Sequence, residues 1–104
     1  MAQQVLGKQR DGRPRYLGLA AAIERVLREL GGQAELDTVL VKVWDKYVEN
    51  NKGERVVMRL YHHPSGELWS PDAEEAIRVL EAAGVVRRRG RLLIMDRGYE
   101  ESAN

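Results

Sequence analysis

Residues 87–91 read Arg-Arg-Arg-Gly-Arg and are the part of this sequence whose residue types could do chemistry. Apolar, partly β-branched runs flank them, and glycine accepts the positive φ that a tight hairpin turn requires. The pattern predicts a two-stranded ribbon with a cationic tip, whose guanidinium groups could contact phosphates. The candidate contacts at this tip are Arg87, Arg88, Arg89 and Arg91.

The charge of the chain is unevenly distributed, although its formal sum is only +1. Residues 1–16 hold four basic side chains against one acid, and residues 85–91 hold four basic side chains and no acid. Residues 17–84 carry four more acids than bases. Segregation of this kind is what a polyanion-binding surface needs, although charged tips also keep edge ribbons soluble.

The N-terminal stretch, residues 1–16, shows no apolar periodicity, so we expect a basic flexible arm. Arginine is favoured in narrow minor grooves, and an arm of this composition could follow one. Its candidate contacts are Arg10, Arg13 and Arg15. At the other end, residues 97–104 form a polar tail that we expect to fray.

The composition excludes several kinds of chemistry. A chain of 104 residues suffices for one modest core, and the absence of cysteine excludes disulfides, thiolate metal sites and cysteine nucleophiles. His62 and His63 are adjacent, so they diverge on a helix or a strand and are poor joint metal ligands. There is also no phosphate-binding or dinucleotide-binding glycine motif. We therefore expect no enzyme, no cofactor and no metal site.

No apolar stretch approaches the ~18 residues needed to cross a bilayer. The first residues of the sequence show no hydrophobic signal region. We expect a cytoplasmic protein without a membrane span, and nothing in the sequence indicates a small-molecule ligand.

Two segments in the first half have the periodicity of amphipathic helices. Residues 17–32 carry an apolar stripe that ends at two glycines, which are typical helix stops. Residues 37–50 carry a second stripe and begin with Asp37, a residue type that favours the N-cap position. Between them, residues 33–36 alternate as a short strand that could add to the ribbon.

A third helix is predicted over residues 71–83. Ser70 is suited to the N-cap position, Pro71 to the first helical position, and acidic residues follow in the first turn. The helix ends where the ribbon begins.

The segment 54–63 has two interpretations. Val57 and Leu60 lie at helical spacing, which favours a short helix. Val56 and Met58 alternate with other residues, which favours a strand that the following Pro-Ser-Gly would turn into a hairpin. We expect the helix.

Aromatic residues on apolar stripes are expected in the core rather than on a base-stacking surface. This expectation covers Trp44, Tyr47 and Tyr61, whereas the position of Trp69 next to a turn leaves both roles open.

The third helix and the ribbon resemble the winged-helix branch of the helix-turn-helix superfamily. In that family a helix ending in Leu-x-x-x-Gly, followed by two aliphatic residues, leads into a β-hairpin wing that contacts the nucleic-acid backbone. The matching residues here are Leu80, Gly84, Val85 and Val86, with the cationic tip as the tip of the wing. The resemblance covers roughly residues 17–96. It implies a mainly α domain with a small β-sheet (α+β), three to four helices and a C-terminal two-stranded wing.

The spacing between helices departs from the family pattern. The family joins its second and third helices by a turn of a few residues, whereas about twenty residues separate 37–50 from 71–83. Residues 71–83 carry a net charge of −3, which would set carboxylates against phosphates, and residues 52–63 carry +2. Charge therefore favours a helix at 54–63 as the one that contacts DNA. Its candidate contacts are Lys52, Arg55 and Arg59.

These features predict a double-stranded DNA-binding protein, regulatory or architectural, that contacts phosphates through the tip, the arm and a short basic helix. Two alternatives stay open: a winged-helix protein-interaction module that docks a partner on the acidic helix, and an RNA-binding protein. Paired half-sites on DNA make a homodimer a reasonable expectation. We expect removal of the four tip arginines to abolish most binding and to leave thermal stability nearly unchanged.

Overall fold

The structure is a computed structural model that describes residues 15–49 and 53–96. It shows a small α+β domain. The helices are α1 (Leu19–Glu29), α2 (Leu36–Val43), which continues as a π-helix over Trp44–Glu49, and α3 (Pro71–Ala82). The strands are β1 (Arg15–Tyr16), β2 (Gln33–Glu35), β3 (Glu54–Arg55), β4 (Tyr61–His62), β5 (Leu68–Trp69), β6 (Val86–Arg89) and β7 (Leu92–Met95).

The main sheet is antiparallel and has the strand order β2-β7-β6. Leu93 in the central strand pairs with Ala34 on one side and with Arg88 on the other. In the turn between β6 and β7, Gly90 has φ +58° while Arg91 keeps a negative φ, as in a type II′ hairpin turn. The predicted ribbon, β6 and β7 with their turn, and the short strand added to it are confirmed.

The helix starts include one correct cap prediction and one wrong one. The Ser70 hydroxyl accepts a hydrogen bond from a backbone N–H three residues on, at 3.0 Å, and Pro71 is the first residue of α3, as predicted. The second helix begins at Leu36 without a side-chain cap. Asp37 therefore lies inside the first turn of α2, and its carboxylate accepts from Arg91 instead.

The short helix predicted over residues 54–63 is wrong. Strand β3 pairs in parallel with β1. The chain then runs extended into β4 and turns back as β5. Val56 and Met58 are buried, whereas Val57 between them is 72% exposed. This period of two places the apolar side chains of an extended segment on one face. The alternative, a hairpin turned by Pro-Ser-Gly, is confirmed.

The hydrophobic core lies between the helices and the inner face of the main sheet. Burying a large aliphatic side chain stabilises the fold by roughly 1.5–3 kcal/mol. The largest fully buried apolar side chains are Ile23, Leu27, Leu36, Leu40, Ile77 and Leu93. They come from all three α-helices and the central strand, so the same residues fix the sheet against the helices.

Replacing Ser70 with alanine should lower the free energy of unfolding by about 1 kcal/mol, because the hydroxyl of this buried residue caps α3 and alanine has no acceptor to replace it. Urea denaturation measures the loss. Ser65→Ala is the matched control, since Ser65 lies exposed in the turn between β4 and β5. Equal stability of the two variants would contradict the role of the cap.

Candidate nucleic-acid interface

Strand alternation divides the arginines of β6 between the two faces of the main sheet. Val86 is buried and Arg88 half-buried on the face that packs against α3. Arg87 and Arg89 are exposed on the opposite, outward face, roughly 7 Å apart along the strand. Within the described part of the chain, neither of these two guanidinium groups has a hydrogen bond or an ion pair.

The outward face also carries uncharged and acidic residues. Leu92 of β7 lies opposite Arg89 and is half-buried, and Glu35 of β2 lies in the same row on the far side of Leu92. Two strand spacings, about 10 Å, separate Glu35 from Arg89. The cationic part of this face is therefore the β6 edge.

Arg88 is bound to α3 through a two-pronged ion pair. Its Nη1 and Nη2 donate to the two carboxylate oxygens of Glu74 at 2.7 and 3.1 Å, and its Nε donates to the carbonyl of Gly90 at 3.0 Å. About three quarters of each side chain is covered, since the exposed fractions are 26% and 24%. The hydrogen bonds from Arg88 lower the pKa of Glu74 below its usual range. Arg88 thus fastens the ribbon to α3.

Arg91 connects three separate parts of the fold. Its Nη2 donates to the carboxylate of Asp37 in α2 and to the backbone carbonyl of Leu68 in β5, the latter at 3.1 Å. Its Nη1 lies 3.9 Å from Oε1 of Glu67, and its own carbonyl accepts from the N–H of Leu36 at 2.6 Å. The turn of the ribbon is therefore held against α2 and the β4–β5 hairpin.

The arginines of the extended segment also have acceptors within the protein. Arg59 donates from Nε and Nη2 to both carboxylate oxygens of Asp72 at 3.1 and 3.0 Å, and from its backbone N–H at 2.8 Å. These bonds hold the pKa of Asp72 below its usual range. Arg55 donates to the carbonyl of Val48 at 3.2 Å, while its Nε is buried without a partner in the described residues. Neither side chain is placed on a helix.

These ion pairs compensate most of the negative charge of α3. Asp72 is bound by Arg59, Glu74 by Arg88, and Glu75 by Arg78 from the same helix at 2.8 Å. The charge argument against α3 as a helix facing phosphates is therefore much weaker than the sequence suggests. The argument for residues 54–63 fails, because that segment is not helical.

The remaining predicted contacts lie at or beyond the edges of the described residues. Arg10, Arg13 and Lys52 lie outside them. Arg15 is in β1, which pairs with β3, so the last two residues of the predicted arm form a strand. The predicted tail, 97–104, is also outside the described residues.

The carboxylate partners of the arginines were missed at the level of sequence. Asp37 lies 54 residues from Arg91, and Glu74 lies 14 residues from Arg88. No local pattern links residues so far apart. The one usable signal was alternation within β6, which sends Arg88 to the opposite face from its two neighbours.

One aromatic prediction is wrong. Tyr61 is not in the core but 46% exposed, and it stacks on Trp69, which is 41% exposed. Tyr47 is buried and Trp44 half-buried on the π-helix, as their predicted core positions require.

Among the described residues, no group of three histidine, aspartate or glutamate side chains could hold a metal ion. No helix in the described ranges combines the length and the apolar character needed to cross a membrane. Comparison with protein-family models, with curated proteins and with solved structures finds no match to this chain. Functional inference therefore rests on the residues themselves.

Arg88→Ala should lower the free energy of unfolding by roughly 1 kcal/mol at neutral pH, because it leaves the largely covered Glu74 carboxylate without its donor. Arg87→Ala, on the outward face of the same strand and without such a pair, should be nearly neutral. Thermal unfolding of both variants measures the difference. The ion pairs that Arg88 and Arg91 make with Glu74 and Asp37 also change the expectation for removal of all four tip arginines. That variant should be less stable than the parent protein.

The contribution of Glu74 should depend on pH. Its pKa is lower in the folded than in the unfolded protein, so the stabilisation is present above the unfolded pKa and is lost as pH falls through the folded one. The stability difference between the parent and Arg88→Ala should therefore shrink in acid. A difference that stays constant from neutral to strongly acidic pH would contradict the ion pair.

Proposed function

We propose that the chain binds double-stranded DNA by contacting its phosphates from the outward edge of the ribbon. The observation that carries the proposal is the pair of Arg87 and Arg89. They lie on one face of one strand, exposed, with no acceptor among the described residues, while the neighbouring arginines are all engaged. Phosphate contacts from such groups supply sequence-independent affinity.

The order of elements supports a winged-helix interpretation. α1 leads into β2, and α2 follows; α3 precedes β6 and β7, and β2 joins the sheet beside β7. In a domain of this class, α3 would take the position of the recognition helix and the ribbon that of the wing. The β4–β5 hairpin would then be an insertion at the connection that is normally a short turn.

The outward surface of α3 favours binding with little sequence selectivity. Base edges are read chiefly by arginine, lysine, asparagine and glutamine. The residues of α3, PDAEEAIRVLEA, include only Arg78 from this group, and its guanidinium is bound to Glu75. We therefore favour an architectural role over recognition of a defined operator. The basic arm, a cytoplasmic location and a homodimer stay predictions beside this proposal.

The protein-interaction alternative loses its main support, because three of the four carboxylates on α3 are already paired with arginines. RNA shares the phosphate chemistry of DNA, so it is tested alongside. An A-form duplex has a different groove geometry, and we expect it to bind more weakly than DNA.

Replacing Arg87 and Arg89 together with alanine should weaken duplex DNA binding and leave unfolding nearly unchanged. Two lost phosphate contacts should reduce the magnitude of the slope of log affinity against log salt by up to about 1.8. Fluorescence anisotropy with a labelled duplex, repeated over a range of salt concentrations, measures both quantities.

The matched control is Arg28→Ala with Lys46→Ala, which removes the same charge from two exposed ion pairs on α1 and the π-helix, outside α3 and the ribbon. This variant should keep most of the affinity and of the salt slope. If both double variants lose equal affinity, net charge rather than the ribbon edge is responsible, and the proposal fails. If the parent protein binds no duplex at low salt, it fails outright.

A further inference from the structure

The β4–β5 hairpin presents an aromatic pair to solvent. Tyr61 and Trp69 lie opposite each other in the two strands, with ring centroids 5.4 Å apart and planes inclined by 33°. His63 adds a third ring, 6.1 Å from that of Trp69. With 46% of Tyr61 and 41% of Trp69 exposed, large ring surfaces stay in contact with water.

The exposure follows from alternation along the hairpin. Leu68, the neighbour of Trp69, is buried and pairs with His62, whereas Trp69 projects from the other face. A cross-strand aromatic pair by itself stabilises a hairpin. The exposed parts of the two side chains are, in addition, open to a ligand.

The aromatic pair lies between the ribbon turn and the start of α3. The carbonyl of Leu68 accepts from Arg91 in the ribbon turn at 3.1 Å, and Trp69 is the next residue. Ser70, the residue after Trp69, caps α3. In helix-turn-helix domains the N-terminal end of the recognition helix is the end that faces the bases. The rings therefore occupy the place where a base would approach.

The surroundings suit nucleic acid better than an apolar partner. The exposed His62 and His63 directly follow Tyr61. Every nucleobase has a π-face that stacks on an aromatic ring regardless of sequence. The side chains of these two histidines can donate hydrogen bonds to the adjoining phosphates.

We propose that Tyr61 and Trp69 bind an unpaired nucleobase by stacking, so that the preferred ligand is duplex DNA with a single-stranded extension or an opened base pair. This inference rests on the proposed function, because phosphate contacts at Arg87 and Arg89 hold the duplex next to the hairpin. The two aromatic residues select the ligand, and the ribbon edge supplies general affinity.

Three DNA ligands test the proposal: a blunt duplex, the same duplex with a deoxyadenosine overhang, and the same duplex with an overhang of abasic residues. The two overhangs carry equal phosphate charge and differ only in their bases. The parent protein should bind the deoxyadenosine overhang roughly five- to a hundredfold more tightly than the abasic one. Trp69→Leu should abolish this preference and keep the affinity for the blunt duplex. Equal affinities of the parent protein for the two overhangs would overturn the proposal.

Tryptophan fluorescence gives a second measurement, and the variant that reports on Trp69 leaves the aromatic pair intact. The chain has two tryptophans, so Trp44→Phe leaves Trp69 as the only reporter and Trp69→Phe leaves Trp44. Stacking should quench Trp69 with the deoxyadenosine overhang and not with the abasic one, while Trp44 should stay unchanged. Val57→Ala, which removes a 72%-exposed apolar side chain from the same segment, is the control for loss of surface hydrophobicity.

The outcomes separate this inference from the function beneath it. If blunt duplex binds in a manner that depends on Arg87 and Arg89, but Trp69 is neither quenched nor needed for a base preference, only the stacking site is refuted. Absence of any DNA binding refutes both. If Trp69→Leu weakens binding of the blunt duplex and of the overhang ligand equally, the stacking site is also refuted, because Trp69 would then only support the hairpin.

Discussion

The guanidinium group of Arg91 is the contact that ties the turn of the ribbon to the rest of the domain. It sits in the turn of the ribbon and reaches Asp37 in α2 and the Leu68 carbonyl in β5. A hairpin with a two-residue turn is marginal in isolation and takes its orientation from what it packs against. Arg91 provides that fixed orientation on one side of the ribbon, and Arg88 provides it on the other through Glu74.

The same residue type consequently has two roles within five positions. Arg88 and Arg91 face the protein and make charge-assisted hydrogen bonds in place of contacts with water. Arg87 and Arg89 stay exposed and hydrated. Strand alternation decides the role of the three arginines in β6, because successive side chains point to opposite faces. Arg91 lies in the turn, where its side chain reaches Asp37 and the Leu68 carbonyl. The net charge of the tip is unchanged by this division, but the part of it available to a polyanion is halved.

Local patterns predicted the parts of the fold that local physics determines. Helical stripes, the Ser70 cap and the glycine turn of the ribbon each depend on residues close in sequence. Residues 54–63 carry both a helical and an alternating pattern, and burial of Val56 and Met58 in the tertiary structure decides between them. Asp37 is a residue type that favours the N-cap position, yet its carboxylate accepts a hydrogen bond from Arg91, which is distant in the chain. Alternation within β6 was the sequence signal for separating Arg88 from its neighbours, whereas the carboxylates that bind Arg88 and Arg91 lie too far away in the chain to be identified from it.

Side-chain nitrogen NMR of the arginine Nε–H groups tests the central claim, the division between structural and ligand-facing arginines, most directly. On titration with duplex DNA, the resonances of Arg87 and Arg89 should shift. Those of Arg88 and Arg91 should stay in place, and the Nε–H of Arg88, which donates to the carbonyl of Gly90, should also exchange slowly with solvent. Large shifts at Arg88 or Arg91, with Arg87 and Arg89 unmoved, would contradict the account.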